Sequence, residues 1–209
     1  MSTIESSSGL TRRGFLKGAG VAATAAAIGD ASLEAMGQEQ AAENKIIGPG
    51  ATKITLRVNG ENRPVEIEPR TTLADALRGN LDLTGTKVVC DRGSCSACTV
   101  WVDGTPVCSC MTLALDARGK EIKTIEGLAQ GEKLHPVQEQ FIEHDALQCG
   151  FCTPGMIMSC AALLEKNKSP KEEDVKEATR GNLCRCGTYP KVVAATVAAG
   201  KVMSGGGQG

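Results

Sequence analysis

Hydrophobic and polar residues alternate along Thr52–Val58, so that the aliphatic side chains fall on one face. A period of two is typical of a strand with one buried face. The dipeptide Asn59-Gly60 follows and favours a tight hairpin turn, and Val65–Ile67 supplies the returning strand. The pattern therefore predicts an antiparallel hairpin at the start of a β-rich domain.

The same domain continues with one short helix and three more strands. Thr72 precedes an apolar cluster that fits a helix capped by the threonine. The strands are predicted at Thr99–Val102, Thr105–Val107 and Glu121–Ile125, the first two joined by an Asp103-Gly104 turn. Two hairpins and one helix predict a β-grasp arrangement over residues 52–127.

From residue 128 onwards the hydrophobic period changes to that of helices. Four helices are expected, beginning at His135-Pro136, Thr153-Pro154, Ser169-Pro170 and near Pro190. The third is expected to use Glu172 and Glu173 in a capping box and to end at Gly181. The pattern predicts a four-helix bundle over residues 128–203 and a disordered tail over 204–209. The predicted fold class is α+β.

The amino terminus has the pattern of an export signal. Arg12 and Arg13 form a basic pair, and Phe15 and Leu16 lead into an apolar run of small residues over 18–29. This pattern is typical of the twin-arginine pathway, and the run is too short to span a bilayer stably. Residues 1–51 are therefore predicted to be a signal and linker. The chain is expected to be exported to the periplasm and to have no stable membrane span.

Charge and cysteine content narrow the classes of function. The chain has 209 residues with 23 basic and 24 acidic side chains, a net charge of −1 that gives no reason to expect nucleic acid as a partner. It has ten cysteines, and all of them follow residue 89. Thiols grouped in this way indicate metal ligands or disulfides.

The first cysteine group is spaced as Cys90-x4-Cys95-x2-Cys98, which is the spacing of plant-type 2Fe–2S proteins. Small residues within this loop allow backbone N–H groups to turn towards the sulfurs of a negatively charged cluster. Spacing leaves the fourth ligand open, because Cys108 and Cys110 are both candidates whose side chains are expected to point the same way. A structural zinc site or a pair of disulfides is the alternative interpretation.

The second cysteine group consists of two pairs, Cys149-x2-Cys152 and Cys184-x-Cys186. Each pair lies just before a predicted helix, so that both positive helix ends would face a site that gains an electron. Taken alone, these pairs also fit a redox disulfide or part of a zinc site. Cys160 falls on the apolar face of the second helix and is expected to be a buried hydrophobic residue.

The two groups and the segments around them resemble the iron–sulfur subunits of the xanthine dehydrogenase and aldehyde oxidoreductase group of molybdenum hydroxylases. The resemblance covers residues 52–203, and with the export signal it is most similar to the small subunits of periplasmic aldehyde oxidoreductases. It rests on Cys90-x4-Cys95-x2-Cys98-Thr-Val, Ser109-Cys110, Thr124-Ile-Glu-Gly127, Gln148-Cys-Gly-Phe-Cys-Thr-Pro-Gly155 and Gly181-Asn-Leu-Cys-Arg-Cys-Gly187.

The resemblance implies a plant-type ferredoxin domain followed by a helical domain, each holding one 2Fe–2S cluster. It favours Cys110 over Cys108 as the fourth ligand of the first cluster. It also implies that Gln148 and Cys149 lie against the molybdopterin of a partner. The implied ligands are Cys90, Cys95, Cys98 and Cys110 for the first cluster, and Cys149, Cys152, Cys184 and Cys186 for the second.

The function implied is electron transfer, with no catalytic residue on this chain. Electrons from a large subunit, whose molybdopterin is expected as a dinucleotide, would reach a flavin (FAD) subunit, a cytochrome or another acceptor through the two clusters. The substrate would be an aldehyde or an N-heterocycle. The alternatives are a free-standing ferredoxin-like carrier and a zinc- or disulfide-stapled domain. The chain has no GxGxxG after a strand and no Walker A motif.

Two residues depart from the usual pattern of the family. Val89 stands where a glycine usually precedes the first cysteine. Ser96 follows Cys95, where the family usually has a glycine, in the sequence Cys-Gly-Ala-Cys. Both lie in the loop whose backbone hydrogen bonds set the reduction potential of the first cluster. Ligation is expected to survive, whereas the potential is expected to shift.

Overall fold

The computed structural model describes residues 47–205, so the predicted export signal lies outside the described residues. The first hairpin is present as predicted. Strand β1 (Thr52–Val58) pairs antiparallel with β2 (Glu61–Ile67), in a register that runs from Thr52 opposite Ile67 to Val58 opposite Glu61. Asn59 and Gly60 turn the chain with φ angles of 54° and 83°, which is the left-handed pair that a type I′ turn requires.

Three further strands complete a mixed sheet: β3 (Thr99–Val102), β4 (Thr105–Cys108) and β5 (Glu121–Lys123). The strand order is β2-β1-β5-β3-β4, with β1 parallel to β5 and the other pairs antiparallel. A short helix, α1 (Leu73–Asp75), continues as a wider π-helical turn to Asn80 and buries Leu73 and Leu77 against the sheet. The side chain of Thr72 caps α1 by accepting from the backbone N–H of Asp75, as predicted.

The last strand is shorter than predicted, because it ends at Lys123 and Ile125 begins a 3-10 turn. The physical reason lies at Thr124. Its backbone N–H donates to the side-chain oxygen of Asn59 at 2.9 Å, and its hydroxyl donates to Glu126 at 2.5 Å. These side-chain bonds replace the ladder that a longer strand would need.

Four helices follow: α2 (Pro136–Glu143), α3 (Thr153–Lys166), α4 (Glu172–Ala178) and α5 (Tyr189–Gly205). A proline stands in the first turn of α2 and α3, where its missing N–H costs no hydrogen bond. The helices enclose a core of aliphatic residues, methionines and Phe141. The sheet and the helices together confirm the α+β class. Within residues 47–205, no helix is both long and apolar enough to cross a membrane.

Two predicted details of the helical part are wrong. Helix α4 is capped by Asp174, which accepts from the backbone N–H of Lys171 at 2.8 Å, rather than by Glu172 and Glu173. It ends at Ala178 and not at Gly181, because the chain tightens there: the N–H of Arg180 donates to the carbonyl of Glu177 and the N–H of Asn182 to that of Thr179, each only three residues back.

The carboxy-terminal tail was predicted to be disordered from residue 204, but α5 continues through Gly205. The hydroxyl of Ser204 accounts for this, because it lies 2.8 Å from the carbonyl of Lys168 and 2.9 Å from that of Gly200. The contact with Lys168 joins the last turn of α5 to the segment that precedes α4. Residues 206–209 lie outside the described residues.

Trp101 joins the sheet to the helices. It lies on β3, yet it is buried in the helical core, and its indole N–H donates to the carbonyl of Met158 on α3 at 2.9 Å. Gly155 at the start of α3 makes the second close approach. A β-carbon there would lie 2.3 Å from the backbone oxygen of Ser96. The loop that carries the first cysteine group therefore packs directly on α3.

Candidate metal centres

The first four-cysteine set lies at one end of the sheet. Cys90, Cys95 and Cys98 are in the loop between α1 and β3, and Cys110 is in the 3-10 turn that follows β4. The thiol of Cys90 lies beside that of Cys95, and the thiol of Cys98 lies beside those of Cys110 and Cys108. The fold thus brings together four sulfurs that are spread over 21 residues of the sequence, and arranges them as two pairs.

Backbone N–H groups face two of these sulfurs. The N–H of Ser94 donates to Sγ of Cys90 at 3.3 Å, and the N–H of Gly93 donates to Sγ of Cys110 at 3.4 Å. Gly93 has a φ of 70°, and a β-carbon at this position would lie 2.9 Å from the side chain of Met111. Glycine therefore suits both the backbone conformation and the limited space beside Met111.

The surroundings of Cys108 differ from those of Cys110 although the two are neighbours. The sulfur of Cys108 lies 4.0 Å from the carbonyl oxygen of Gly93 and 3.7 Å from the hydroxyl of Ser96. A carbonyl oxygen can only accept, so this environment suits a protonated thiol. The opposite end of the same residue, its N–H, faces Cys110. The N–H of Gly93 towards Cys110 and its carbonyl towards Cys108 thus favour Cys110 as the metal ligand, in agreement with the resemblance.

The second four-cysteine set lies at the amino-terminal ends of α3 and α5. Cys149 and Cys152 precede α3, and Cys184 and Cys186 precede α5. The side chains pair across the two loops, Cys149 with Cys186 and Cys152 with Cys184. Both helices direct their partly positive ends towards this set, which favours negative charge there.

The pKa values of the thiols separate within each set. Hydrogen bonding by the backbone of Arg92 and the side chain of Cys95 lowers the pKa of Cys90 to about 7, whereas burial raises the pKa of Cys110 to about 12. Burial also raises the pKa of Cys152 to about 12. Burial opposes ionisation of Cys184, but the hydroxyl and backbone of Thr188 lower its pKa to about 7. Each set therefore holds sulfurs of both kinds, those that ionise readily and those that need a cation to lose the proton.

The sulfurs meet in pairs rather than around one point. Within residues 47–205, no three His, Cys, Asp or Glu side chains converge as they would around one metal ion. A mononuclear zinc site needs four donors around a single ion. In a 2Fe–2S cluster, four cysteine thiolates are divided between two iron atoms. The paired arrangement therefore fits a two-iron cluster in each set.

Hydrogen bonds connect the two sets directly. The backbone N–H of Leu183 donates to the carbonyl of Cys95 at 3.0 Å, and the side-chain amide of Asn182 donates to the carbonyl of Ser96 at 3.1 Å. Leu183 is bonded to Cys184 of the second set, while Cys95 belongs to the first. One hydrogen bond and a few covalent bonds thus link a sulfur of each set.

The remaining residues singled out by the sequence lie in contrasting places. Gln148 and Cys149 are exposed, so a partner can reach both. Cys160 is fully buried inside α3, apart from both sets, as expected for a small hydrophobic residue. Sequence reasoning missed Asn182 and Thr188. Thr188 could have been found from its position four residues after Cys184, which indicates that its side chain can reach that cysteine.

Known protein families match most of the described residues. Residues 56–129 match the family described as a 2Fe-2S iron-sulfur cluster binding domain, and residues 124–197 match a 2Fe-2S binding domain. The aldehyde oxidoreductase iron-sulfur-binding subunit PaoA of Escherichia coli O157:H7 is 43% identical in an alignment 211 residues long, which covers 93% of this chain and 90% of that protein. The chain belongs to the iron–sulfur subunits of the molybdenum hydroxylases.

Other relatives show how widely this subunit is used. The nicotine 6-hydroxylase small subunit of Paenarthrobacter nicotinovorans is 50% identical over 145 residues, 69% of this chain and 87% of that protein. The crystal structure of quinoline 2-oxidoreductase from Pseudomonas putida 86 contains a chain that superimposes with a TM-score of 0.72 at 44% identity, covering 76% of this chain and 99% of that chain. The aldehyde oxidoreductase of Megalodesulfovibrio gigas is 42% identical over 72% of this chain, but the match spans only 17% of that longer protein.

Proposed function

We propose that this iron–sulfur subunit relays electrons from the molybdopterin of a large partner subunit to a separate acceptor. The partner is proposed to oxidise an aldehyde or an N-heterocycle, the classes named in the relatives. Two 2Fe–2S clusters supply the one-electron carriers when they are bound. The chain itself holds them, connects them and limits their exposure to water.

The ligands proposed are the two sets of four sulfurs: Cys90, Cys95, Cys98 and Cys110, and Cys149, Cys152, Cys184 and Cys186. Their arrangement in pairs and the backbone N–H groups of Gly93 and Ser94 support this assignment. A cluster is negatively charged and gains further charge on reduction, so N–H donors stabilise it.

A single observation carries the relay proposal, namely the hydrogen bond from Leu183 to the carbonyl of Cys95. It gives a continuous route between the sets, from Cys184 through the adjoining peptide to Cys95. The bonded groups belong to a proposed ligand of the first set and to the neighbour of a proposed ligand of the second, so this route stays within the backbone. The close packing of Gly155 on Ser96 keeps the connection short.

The large molybdenum subunit is proposed to cover the second set. A cavity of about 450 Å³ opens beside the cysteines, and Phe151 and Leu183 at its rim are each 58% exposed. Apolar side chains exposed in this way mark interaction surfaces. Gln148 and Cys149 are exposed in the same loop and are proposed to face the pterin, in its dinucleotide form. The acceptor is proposed to be a FAD subunit, a cytochrome or another carrier at the first set.

The chain is proposed to reach the periplasm through the twin-arginine pathway. The pair Arg12 and Arg13, followed by Phe15 and Leu16, supports this proposal. Replacing both arginines by lysine should leave a cluster-loaded chain in the cytoplasm, as measured by cell fractionation and immunoblotting. Export of the double variant at the normal level would contradict the proposal.

The proposed function is tested by affinity purification of the chain from its native host, with analysis of iron and molybdenum and identification of the copurified chains. The result expected is stoichiometric recovery of a molybdenum-containing chain. A red-brown chain that purifies alone, with iron but without molybdenum, would indicate the free-standing carrier instead.

A further inference from the structure

Thr188 makes a contact for which the proposed function does not account. It stands directly before α5, is 3% exposed, and its hydroxyl lies 3.3 Å from Sγ of Cys184. At this position a threonine ordinarily caps the helix by accepting from a backbone N–H. Here the hydrogen bond that the structure shows for the hydroxyl is with a sulfur of the second set.

The proposed ligation fixes the direction of this hydrogen bond. Either atom could donate while the thiol carries its proton. A sulfur that ligates iron has no proton, so only the hydroxyl of Thr188 can donate. The contact then becomes an O–H donor aimed at a metal ligand, a type of bond that is stronger than one between neutral groups.

The loop holds the hydroxyl in place. The carbonyl of Thr188 accepts from the N–H of Val192 at 3.0 Å, in the first turn of α5. The phenol oxygen of Tyr189 accepts from the N–H of Cys184 at 2.7 Å. The backbone is thus held on both sides of the contact, at Thr188 and at Cys184, and the burial of Thr188 limits the rotation of its side chain.

The first set has no equivalent. Its hydroxyl–sulfur contact joins Ser96 to Cys108, which is not among the proposed ligands. Among the residues that the structure describes, Thr188 is the one hydroxyl whose hydrogen bond reaches the sulfur of a proposed ligand. The two sets thus differ in one hydrogen-bond donor, the hydroxyl of Thr188, which stabilises negative charge on a ligand sulfur.

We propose that Thr188 is a positioning residue that raises the reduction potential of the second cluster by donating a hydrogen bond to Cys184. This inference rests on the proposed function. A hydrogen bond to a ligand sulfur stabilises the reduced cluster more than the oxidised one, because the reduced cluster carries more negative charge. The electron therefore spends more time at the set that faces the molybdenum partner than it would without the hydroxyl.

The direct test is Thr188→Val in the complex purified from the native host. Valine keeps the shape of the side chain and removes the hydroxyl. In a redox titration followed by EPR, the potential of the second cluster should fall enough to change its reduced-to-oxidised ratio about tenfold, which for one electron is about 59 mV. The signal of the first cluster should titrate as before.

Thr196→Val is the matched control. Thr196 lies on the same helix and is fully buried, but its hydroxyl donates to the carbonyl of Val192 at 2.8 Å. It should leave both potentials unchanged. Equal shifts in Thr188→Val and Thr196→Val, or no shift in Thr188→Val, would overturn the proposal.

A second pair of variants covers the case in which valine prevents loading. Thr188→Ser retains the hydroxyl and Thr188→Ala does not, while both lose the methyl group. Resonance Raman spectra in H₂O and D₂O should show a larger solvent-isotope shift of an iron–cysteine stretch in the wild type and in Thr188→Ser than in Thr188→Ala, where only backbone N–H groups near Cys184 exchange. The same isotope shift in Thr188→Ala would contradict the proposal. If the wild-type protein itself showed no second EPR signal, the proposed function would be overturned instead.

Discussion

At the scale of single residues, the loop of the first set contains a serine in a conformation that normally favours glycine. Ser96 has a φ of 52°, in the left-handed region. Its carbonyl accepts from the backbone N–H and hydroxyl of Thr99 and from the amide of Asn182, and these bonds hold the conformation. The hydroxyl that serine adds is directed at Cys108. Ser96, one of the two residues that depart from the usual pattern of the family, is therefore in contact with the neighbouring cysteine that is not a proposed ligand.

The choice between the neighbouring cysteines is tested by two single substitutions. Cys110→Ser should abolish the EPR signal of the first cluster, because the N–H of Gly93 faces this sulfur. Cys108→Ser should retain both cluster signals, because its sulfur faces a carbonyl oxygen. Survival of the first signal in Cys110→Ser together with its loss in Cys108→Ser would move the ligand to Cys108.

The sequence could not decide this choice from spacing. Cys108 and Cys110 both lie near the end of β4, and the difference between them is the orientation of the peptide at Gly93, 17 residues from Cys110 along the chain. The left-handed backbone at Asp91, Gly93 and Ser96 sets that orientation. Only Gly93 among these residues signals a left-handed conformation by its type.

At the scale of elements, short-range signals were sufficient where the interaction itself is local. The strand β1, the Asn59-Gly60 turn and the threonine cap at Thr72 were predicted from adjacent residues. The predictions failed where a distant group competes. The end of β5 depends on Asn59, 65 residues before Thr124. No periodicity along the chain contains that information.

The packing of the first loop on α3 gives a prediction for Gly155→Ala. The added β-carbon would lie 2.3 Å from the backbone oxygen of Ser96 and 2.9 Å from that of Ala97, and backbone cannot move aside cheaply. The substitution should lower the free energy of unfolding by about 1–3 kcal/mol. The measurement is urea unfolding of the cluster-loaded protein, followed by visible absorption and circular dichroism.

Gly79→Ala is the matched control for this experiment. Gly79 lies in the π-helical turn after α1, and a β-carbon there would meet nothing within 4 Å. It should change the free energy of unfolding by no more than about 0.5 kcal/mol. Equal effects of Gly79→Ala and Gly155→Ala would show that the contact between the loop and α3 is not tight.

At the scale of the whole molecule, metal binding closes two long loops of one polypeptide. The second set joins Cys149 to Cys186 across both α3 and α4. Ligation of sulfurs this far apart couples cluster binding to folding. The family and the class of fold were predictable from sequence, because the cysteine motifs have fixed spacing. The pairing of sulfurs across the loops was not, because it depends on how α3 and α5 pack.

Removal of iron should make the stability of the folded chain fall as the pH rises above 9. In the iron-free folded chain, burial raises the pKa of Cys110 and of Cys152 to about 12, from 9.0 for an ordinary thiol. Unfolded thiols therefore ionise first, so the stability that these groups contribute is present below pH 9 and is lost as pH rises towards 12. Thermal unfolding measured from pH 8 to 11 should show a falling midpoint for the iron-free chain.

The cluster-loaded chain is the control for this pH dependence. Sulfurs bound to iron carry no proton, so Cys110 and Cys152 do not titrate while the clusters are held. The loaded chain should therefore show a flatter profile over the same pH range. Parallel falls for the loaded and the iron-free chain would contradict the assignment of these two residues as ligands.

The relay proposed for this molecule depends above all on the presence of two separate clusters on one chain. The most direct measurement is a redox titration of the natively purified protein followed by EPR, together with the iron content per chain. The account predicts two distinct signals with different potentials and about four iron atoms per chain. It also predicts that Cys152→Ser retains only the signal of the first set. A single signal, or both signals in Cys152→Ser, would contradict it.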